Sequence, residues 1–134
     1  MITNYKYQMK KYHSNESYMH KYSKQLLGLW LSTIFLSVWV EHPFYLDGFL
    51  YLRPDIVCLT EDGIDTIFEV VNKNDVSYDK IMKYRIYQNE NNYEFNIIKI
   101  DSNYILQQIK KPEILNCVYI DIWNYEFKLI NIKL

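Results

Sequence analysis

The feature that most restricts what this chain can fold into is a short polar interruption, Glu61-Asp62-Gly63, between two strand-like runs. Asp-Gly readily takes the left-handed backbone angles of a two-residue turn, so Leu50 to Thr60 and Asp65 to Asn72 are expected to fold back on one another. Within them, Ile56-Val57-Cys58-Leu59 and Ile67-Phe68-Glu69-Val70-Val71 are apolar and mostly β-branched or aromatic, as in central strands.

Around that hairpin the other elements can be placed. Ser14 or Asn15 is the expected cap of a first helix running to about Leu31, with Glu16 in its first turn, where the helix dipole favours a carboxylate. Met19, Tyr22, Leu26, Leu29 and Trp30 recur at helical spacing. From Phe35 to Glu41 β-branched and aromatic residues take over as a strand, which His42-Pro43 ends because proline withdraws a ladder donor. Asn74 to Ser77 can cap a second helix from Tyr78 to about Gln88, with Ile81, Tyr84 and Tyr78 as candidates for its inner face. A strand from Tyr93 to Ile100, a short helix from Ser102 or Asn103 to Ile109, and a hairpin of Leu115–Ile122 with Tyr125–Ile132 complete the order. The predicted fold is a single α/β domain over residues 14–134, preceded by a mildly basic lead-in, residues 1–13. At 134 residues one domain is the natural size, since domains mostly run from about 50 to 250 residues.

Composition excludes several functional classes. With 49% hydrophobic and 17% aromatic residues the chain is not disordered. Fifteen basic against 16 acidic residues leave a formal charge of −1, so any attraction to a polyanion has to be local. Alanine is absent, while 17 Ile, 14 Tyr, 13 Lys and 12 Asn point to an AT-rich genome, such as that of a large DNA virus, a phage or a low-GC bacterium. Runs of lysine therefore carry little functional weight. Cys58 and Cys117 lie far apart and outside any paired motif, which argues for buried thiols and a reducing compartment over zinc or disulfides. Leu26 to Val40, the most apolar stretch, holds 15 residues, short of the roughly 20 that a membrane-spanning helix needs. No signal peptide is evident, so an intracellular location is expected, in the cytoplasm or nucleus of a host cell if the source is viral, with no membrane partner.

Four carboxylates stand where carboxylates are awkward unless useful. Asp55 follows Pro54 at the head of one apolar run, and Glu69 interrupts the other. Glu41 closes the first strand and Glu16 opens the first helix. A buried ionised carboxylate needs a cation or several donors. Joined by one hairpin, Asp55 and Glu69 can be cross-strand neighbours, and two acidic oxygens there suit Mg²⁺ or Mn²⁺, which with bound water can activate a nucleophile for phosphodiester cleavage. The competing reading is structural pairing, with Arg53 as counter-ion to either acid. Glu41 can equally be a solvated strand end. Glu16, His20 and Lys24 share a helix face at i, i+4 spacing, which could set them over a metal.

Arg53-Pro54-Asp55-Ile56-Val57 and Phe68-Glu69-Val70-Val71, 14 residues apart from acid to acid, resemble the catalytic hairpin of the PD-(D/E)XK nuclease superfamily. The order helix, three-stranded meander, helix, strand over residues 14–100 is similar to that family's restriction-endonuclease-like core. Glu16-Ser17-x-x-His20-Lys21-x-x-Lys24 followed by Leu27-x-x-Trp30-Leu31 looks most like the competence protein CoiA-like branch. The resemblance implies Mg²⁺-dependent cleavage of nucleic acid, with DNA as the expected substrate and Asp55, Glu69 and Glu41 at the metal. Its motif lysine would fall at position 71, where this chain has Val71. Lys73, two residues on and on the same strand face as Glu69, is one substitute, and Lys80 or Lys83 from the following helix is the other. A homodimer is compatible with cutting two strands. The alternative that Val71 leaves open is a catalytically degenerate relative that binds nucleic acid or a protein partner, as a viral or phage accessory protein would.

Overall fold

The computed structural model describes residues 6–9, 17–72 and 75–134. In chain order the elements are β1 (Lys6–Met9), α1 (Tyr18–Leu31), β2 (Ser37–Val40), β3 (Phe44–Leu46), β4 (Phe49–Leu52), β5 (Ile56–Thr60), β6 (Gly63–Val71), α2 (Tyr78–Asn91), β7 (Asn96–Asp101), α3 (Ser102–Leu106), β8 (Ile114–Asp121) and β9 (Glu126–Lys133). Among the described residues seven strands form one mixed sheet in the order β1-β2-β5-β6-β7-β8-β9, and β3 and β4 pair separately. The fold is mixed α/β. β2, β5 and β6 run as an antiparallel meander, β7 lies parallel to β6 after the α2 crossover, and β8 and β9 close the sheet as an antiparallel hairpin.

Alternation along the central strands sends successive side chains to opposite layers. Ile56, Phe68, Val70, Ile98 and Ile100 join Leu27 and Leu31 of α1 and Ile105 of α3 in one core. Val57, Ile67 and Ile97 join Ile81 and Tyr84 of α2, with Phe44 and Leu52 from the small hairpin, in the other. The sheet is thus covered on both faces, which is why its middle strands read as continuous apolar runs. Both cysteines are buried free thiols, and burial pushes Cys117 up to about 11. No helix among the described residues is long and apolar enough to cross a membrane.

Several boundaries differ from the sequence reading, each for a local reason. Ser17 caps α1, its hydroxyl accepting from the His20 amide at 3.2 Å; Ser14 and Asn15 lie outside the described residues. The buried face of α1 is Ser23, Lys24, Leu27, Gly28, Trp30 and Leu31, whereas Met19, Tyr22 and Leu29 are exposed. Leu26 to Leu31 is apolar nearly all round, so its spacing does not set the helix's rotation. Lys6–Met9, within the expected lead-in, is an edge strand parallel to β2, held by backbone pairing that needs no apolar pattern. The expected strand from Leu50 to Thr60 breaks at Arg53-Pro54-Asp55, where Pro54 has no N–H to give the ladder, and its first part pairs with β3 instead. That hairpin turns on Asp47 and Gly48, with φ of +50° and +82°, the angles of a two-residue turn. On α2, Ile81 and Tyr84 are buried and Tyr78 is exposed. Asp101 caps α3, which ends at Leu106, three residues short of Ile109.

Candidate active site

One end of the sheet's interior strands collects the C-terminal ends of β2 and β6, the residue before β5, and the N-terminal halves of α1 and α2. In the register Val40 faces Ile56 and Ile56 faces Phe68, so the next rung sets Asp55 opposite Glu69 with Glu41 beside them. Glu41 leaves β2 with φ of +59°, an uncommon left-handed conformation for a residue with a side chain. Its amide donates to the Asp55 carbonyl at 2.8 Å, and the side chain is buried. This bend turns Glu41 into the site.

Each of the two central acids divides its oxygens between neutral and charged partners. Asp55 Oδ2 accepts from the Val70 amide at 2.8 Å, while Oδ1 lies 3.3 Å from Lys24 Nζ. Glu69 Oε2 accepts from the Tyr84 hydroxyl at 2.6 Å and from the Asp55 amide at 3.3 Å, while Oε1 lies 2.6 Å from Lys80 Nζ. Lys24 also reaches Glu41 Oε1 at 3.3 Å, with only 4% of its side chain exposed. Lys80 donates further to the Arg53 carbonyl at 3.3 Å. Three carboxylates from three strands are therefore threaded by two ammonium groups, one from each covering layer.

The electrostatics follow from that packing. Burial pushes the Glu69 carboxyl above its ordinary value, and the Asp55 charge pushes the same way against the opposing pull of Lys80. For Lys80 burial favours the neutral amine, but the charges of Glu69 and Asp55 outweigh it and hold the group above the usual lysine range. Tyr84 is raised well above 10 by burial and then by Glu69, so it stays a hydroxyl donor. A lysine in the first turn of a helix opposes the dipole, and the two carboxylates account for Lys80 standing there.

The structure brings together Asp55, Glu69, Glu41 and Lys80. Lys83 is not with them: it is exposed, its ammonium 5.6 Å over the Tyr51 ring, because three residues past Lys80 the α2 surface has turned toward the β3–β4 hairpin. Lys73 and Glu16 lie outside the described residues. His20 is half-buried one turn before Lys24 and lines a 220 Å³ cavity with Ser17, Asn72 and Ser102. One site residue, Tyr84, is expected from sequence only on the inner face of α2 and not at the site, whereas Lys24 is expected near a metal by its helix-face spacing with Glu16 and His20. Tyr84 carried a signal, since it falls four residues after Lys80 on the buried stripe of α2. Lys24 does meet the acids, through Glu41 and Asp55.

Among the described residues no three His, Cys, Asp or Glu side chains close into a ready-made metal cluster. The donor set nevertheless fits Mg²⁺ or Mn²⁺, since Mg²⁺ is commonly held by one or two carboxylates, the rest being water and substrate phosphate. The oxygens free for a cation are those facing the lysines, Asp55 Oδ1 and Glu69 Oε1, because neutral donors fix the other two. No protein-family model matches the chain, and no curated protein and no solved structure matches it either.

Proposed function

We propose that this chain is a metal-dependent nuclease of the PD-(D/E)XK type that cleaves DNA phosphodiester bonds. The observation that carries the reading is the cross-strand pair of Asp55 and Glu69 with Lys80 on Glu69 at 2.6 Å, an acid–acid–lysine set at the end of a hairpin. The order α1, antiparallel meander β2-β5-β6, α2, parallel β7 supports a restriction-endonuclease-like core. It also answers the gap at Val71, because Lys80 supplies from α2 the ammonium that the motif otherwise takes from the strand.

Asp55 and Glu69 would hold Mg²⁺ or Mn²⁺, with Glu41 as the accessory carboxylate. When bound, the ion supplies Lewis acidity toward a phosphoryl oxygen and lowers the pKa of the attacking water. The Val70 amide and the Tyr84 hydroxyl keep one oxygen of each acid fixed, so the other keeps its direction. Lys80 places a positive charge beside Glu69, where phosphate oxygens gain negative charge during displacement.

The test is nicking of supercoiled plasmid with Mg²⁺ or Mn²⁺, beside Mn²⁺ binding. Wild type should nick only with the divalent ion, Asp55→Ala and Glu69→Ala should abolish nicking, and Lys80→Ala should slow it by about 10²- to 10⁴-fold. A folded wild type that neither binds Mn²⁺ nor nicks across pH 6 to 9 would sink the nuclease reading. Val71 favours one alternative, a degenerate relative that binds nucleic acid or a protein without a metal. That protein would keep its binding in Glu69→Ala and in chelator.

A further inference from the structure

Lys24 has no part in the chemistry just described, yet it is the more deeply buried of the two site lysines. Its side chain is 4% exposed, against 27% for Lys80. A buried ammonium is unfavourable unless paired, and Lys24 is paired with Glu41 Oε1 and with Asp55 Oδ1, both at 3.3 Å. Those acids come from different strands and would repel one another in a shared low-dielectric site. The Asp55 oxygen that Lys24 occupies is the one facing away from the fixing amide of Val70. Lys24 therefore stands where a divalent ion would have to bind.

We propose that Lys24 is the placeholder cation of the acid site, holding Glu41 and Asp55 together in the metal-free chain and leaving Asp55 Oδ1 when the divalent ion enters. The proposal rests on the metal-binding reading above and adds a residue that sets how tightly the metal is held. Three carboxylates and two ammonium groups sum to −1 in the metal-free site; a divalent ion added beside both lysines would make it +1. Exchange of one ammonium for the ion relieves that excess. Lys24 is the one to leave because its contacts with Glu41 and Asp55 are both 3.3 Å, whereas Lys80 holds Glu69 at 2.6 Å. Lys24 is thus a positioning residue with opposite effects on the two states: it stabilises the empty site and competes with the metal.

Mn²⁺ binding by electron paramagnetic resonance, with thermal melting, on wild type, Lys24→Met and Lys24→Arg reads both effects without relying on cleavage. Lys24→Met should melt lower than wild type without metal, bind Mn²⁺ about tenfold more tightly, and gain more from Mn²⁺ in the melt. Lys24→Arg, which keeps the charge, should stay within about threefold of wild-type affinity. A second measurement needs no variant: acetylation of Lys24, followed by mass spectrometry, should rise several-fold when Mn²⁺ is added to the wild-type chain. If wild type binds Mn²⁺ while Lys24→Met binds it equally or more weakly, or if Lys24 labelling is unmoved by Mn²⁺, the placeholder role is overturned and the metal site stands. If neither wild type nor Lys24→Met binds Mn²⁺, both readings fall together. Binding by Lys24→Met alone supports the placeholder in its strongest form.

Discussion

Glu69, Lys80 and Tyr84 meet at a buried point where proton occupancy and folding are coupled, and Cys117 adds a second coupled site elsewhere in the sheet. Lys80 is held above its ordinary value by the two carboxylates despite burial, so its stabilising contribution is complete below 10.5 and is lost as pH rises through the raised value. Tyr84 is raised by burial and Glu69; the folded chain keeps its proton while the unfolded chain releases it above pH 10, so that stability also drains away on the alkaline side. The two buried thiols give the first loss, which begins above 9.0: Cys117 is raised by burial to about 11, and Cys58 is raised well above 9.0 by burial and then by Asp65. The melting temperature should therefore hold to about pH 9 and then fall steadily toward pH 11. Cys117→Val, which removes one of the two buried thiols, should make the early part of that fall shallower. A flat profile from pH 9 to 11, or one unaltered by the valine, would contradict this account.

The β5–β6 hairpin sets the register that places Asp55 opposite Glu69, and its turn depends on Gly63. Gly63 has φ of +106°, and a Cβ there would lie 2.6 Å from the Tyr93 hydroxyl oxygen, which sits 2.8 and 3.1 Å from the carbonyls of Ile64 and Asp62. Gly63→Ala should cost about 1–3 kcal/mol through the backbone alone, with the tyrosine contact adding to it. In denaturant melts, Tyr93→Phe should recover part of that loss in the double variant. No coupling between the two changes would mean that the clash is not felt. Elements legible from sequence were those with strong punctuation: the reversal at Glu61-Asp62-Gly63, although its two turn residues are Glu61 and Asp62 and only Gly63, which opens β6, has positive φ; the Ser77 cap of α2; and the Trp123-Asn124 bend between the last strands. The β3–β4 hairpin carries the same turn signal in Asp47-Gly48, but the apolar runs on either side of Arg53-Pro54-Asp55 pass for one strand. β1 left no trace because edge pairing is made by backbone groups. The two acids were legible as charges interrupting apolar strands. Lys24 was legible only as a helix-face neighbour of Glu16 and His20 and Tyr84 only as an inner-face residue, since the acids they touch lie 17 and 15 residues away in sequence.

At the scale of the whole molecule the sheet separates two cores, and the acid site is where the layers that cover them meet. Lys24 stands one turn before Leu27 in the α1 layer, and Lys80 stands beside Ile81 in the α2 layer; both apolar residues are fully buried. The carboxylates that bind these lysines lie in β6 or at the ends of β2 and β5, so the site ties both layers to the sheet at the ends of its interior strands. Leu27→Ala and Ile81→Ala should each cost about 2–5 kcal/mol by leaving a cavity in its own core. Lying on opposite faces of the sheet with no shared side-chain cluster, they should add to within about 0.3–0.5 kcal/mol. Because every central strand contributes to both cores, each variant should still melt in a single transition seen equally by near-ultraviolet circular dichroism and by tryptophan fluorescence. With total stabilities of about 5–15 kcal/mol usual for a domain, the double variant should lie near the edge of folding. Separate transitions for the two probes, or a double-variant cost far from the sum, would show that the layers fold independently and that the acid site is a contact between two units instead of a seam within one.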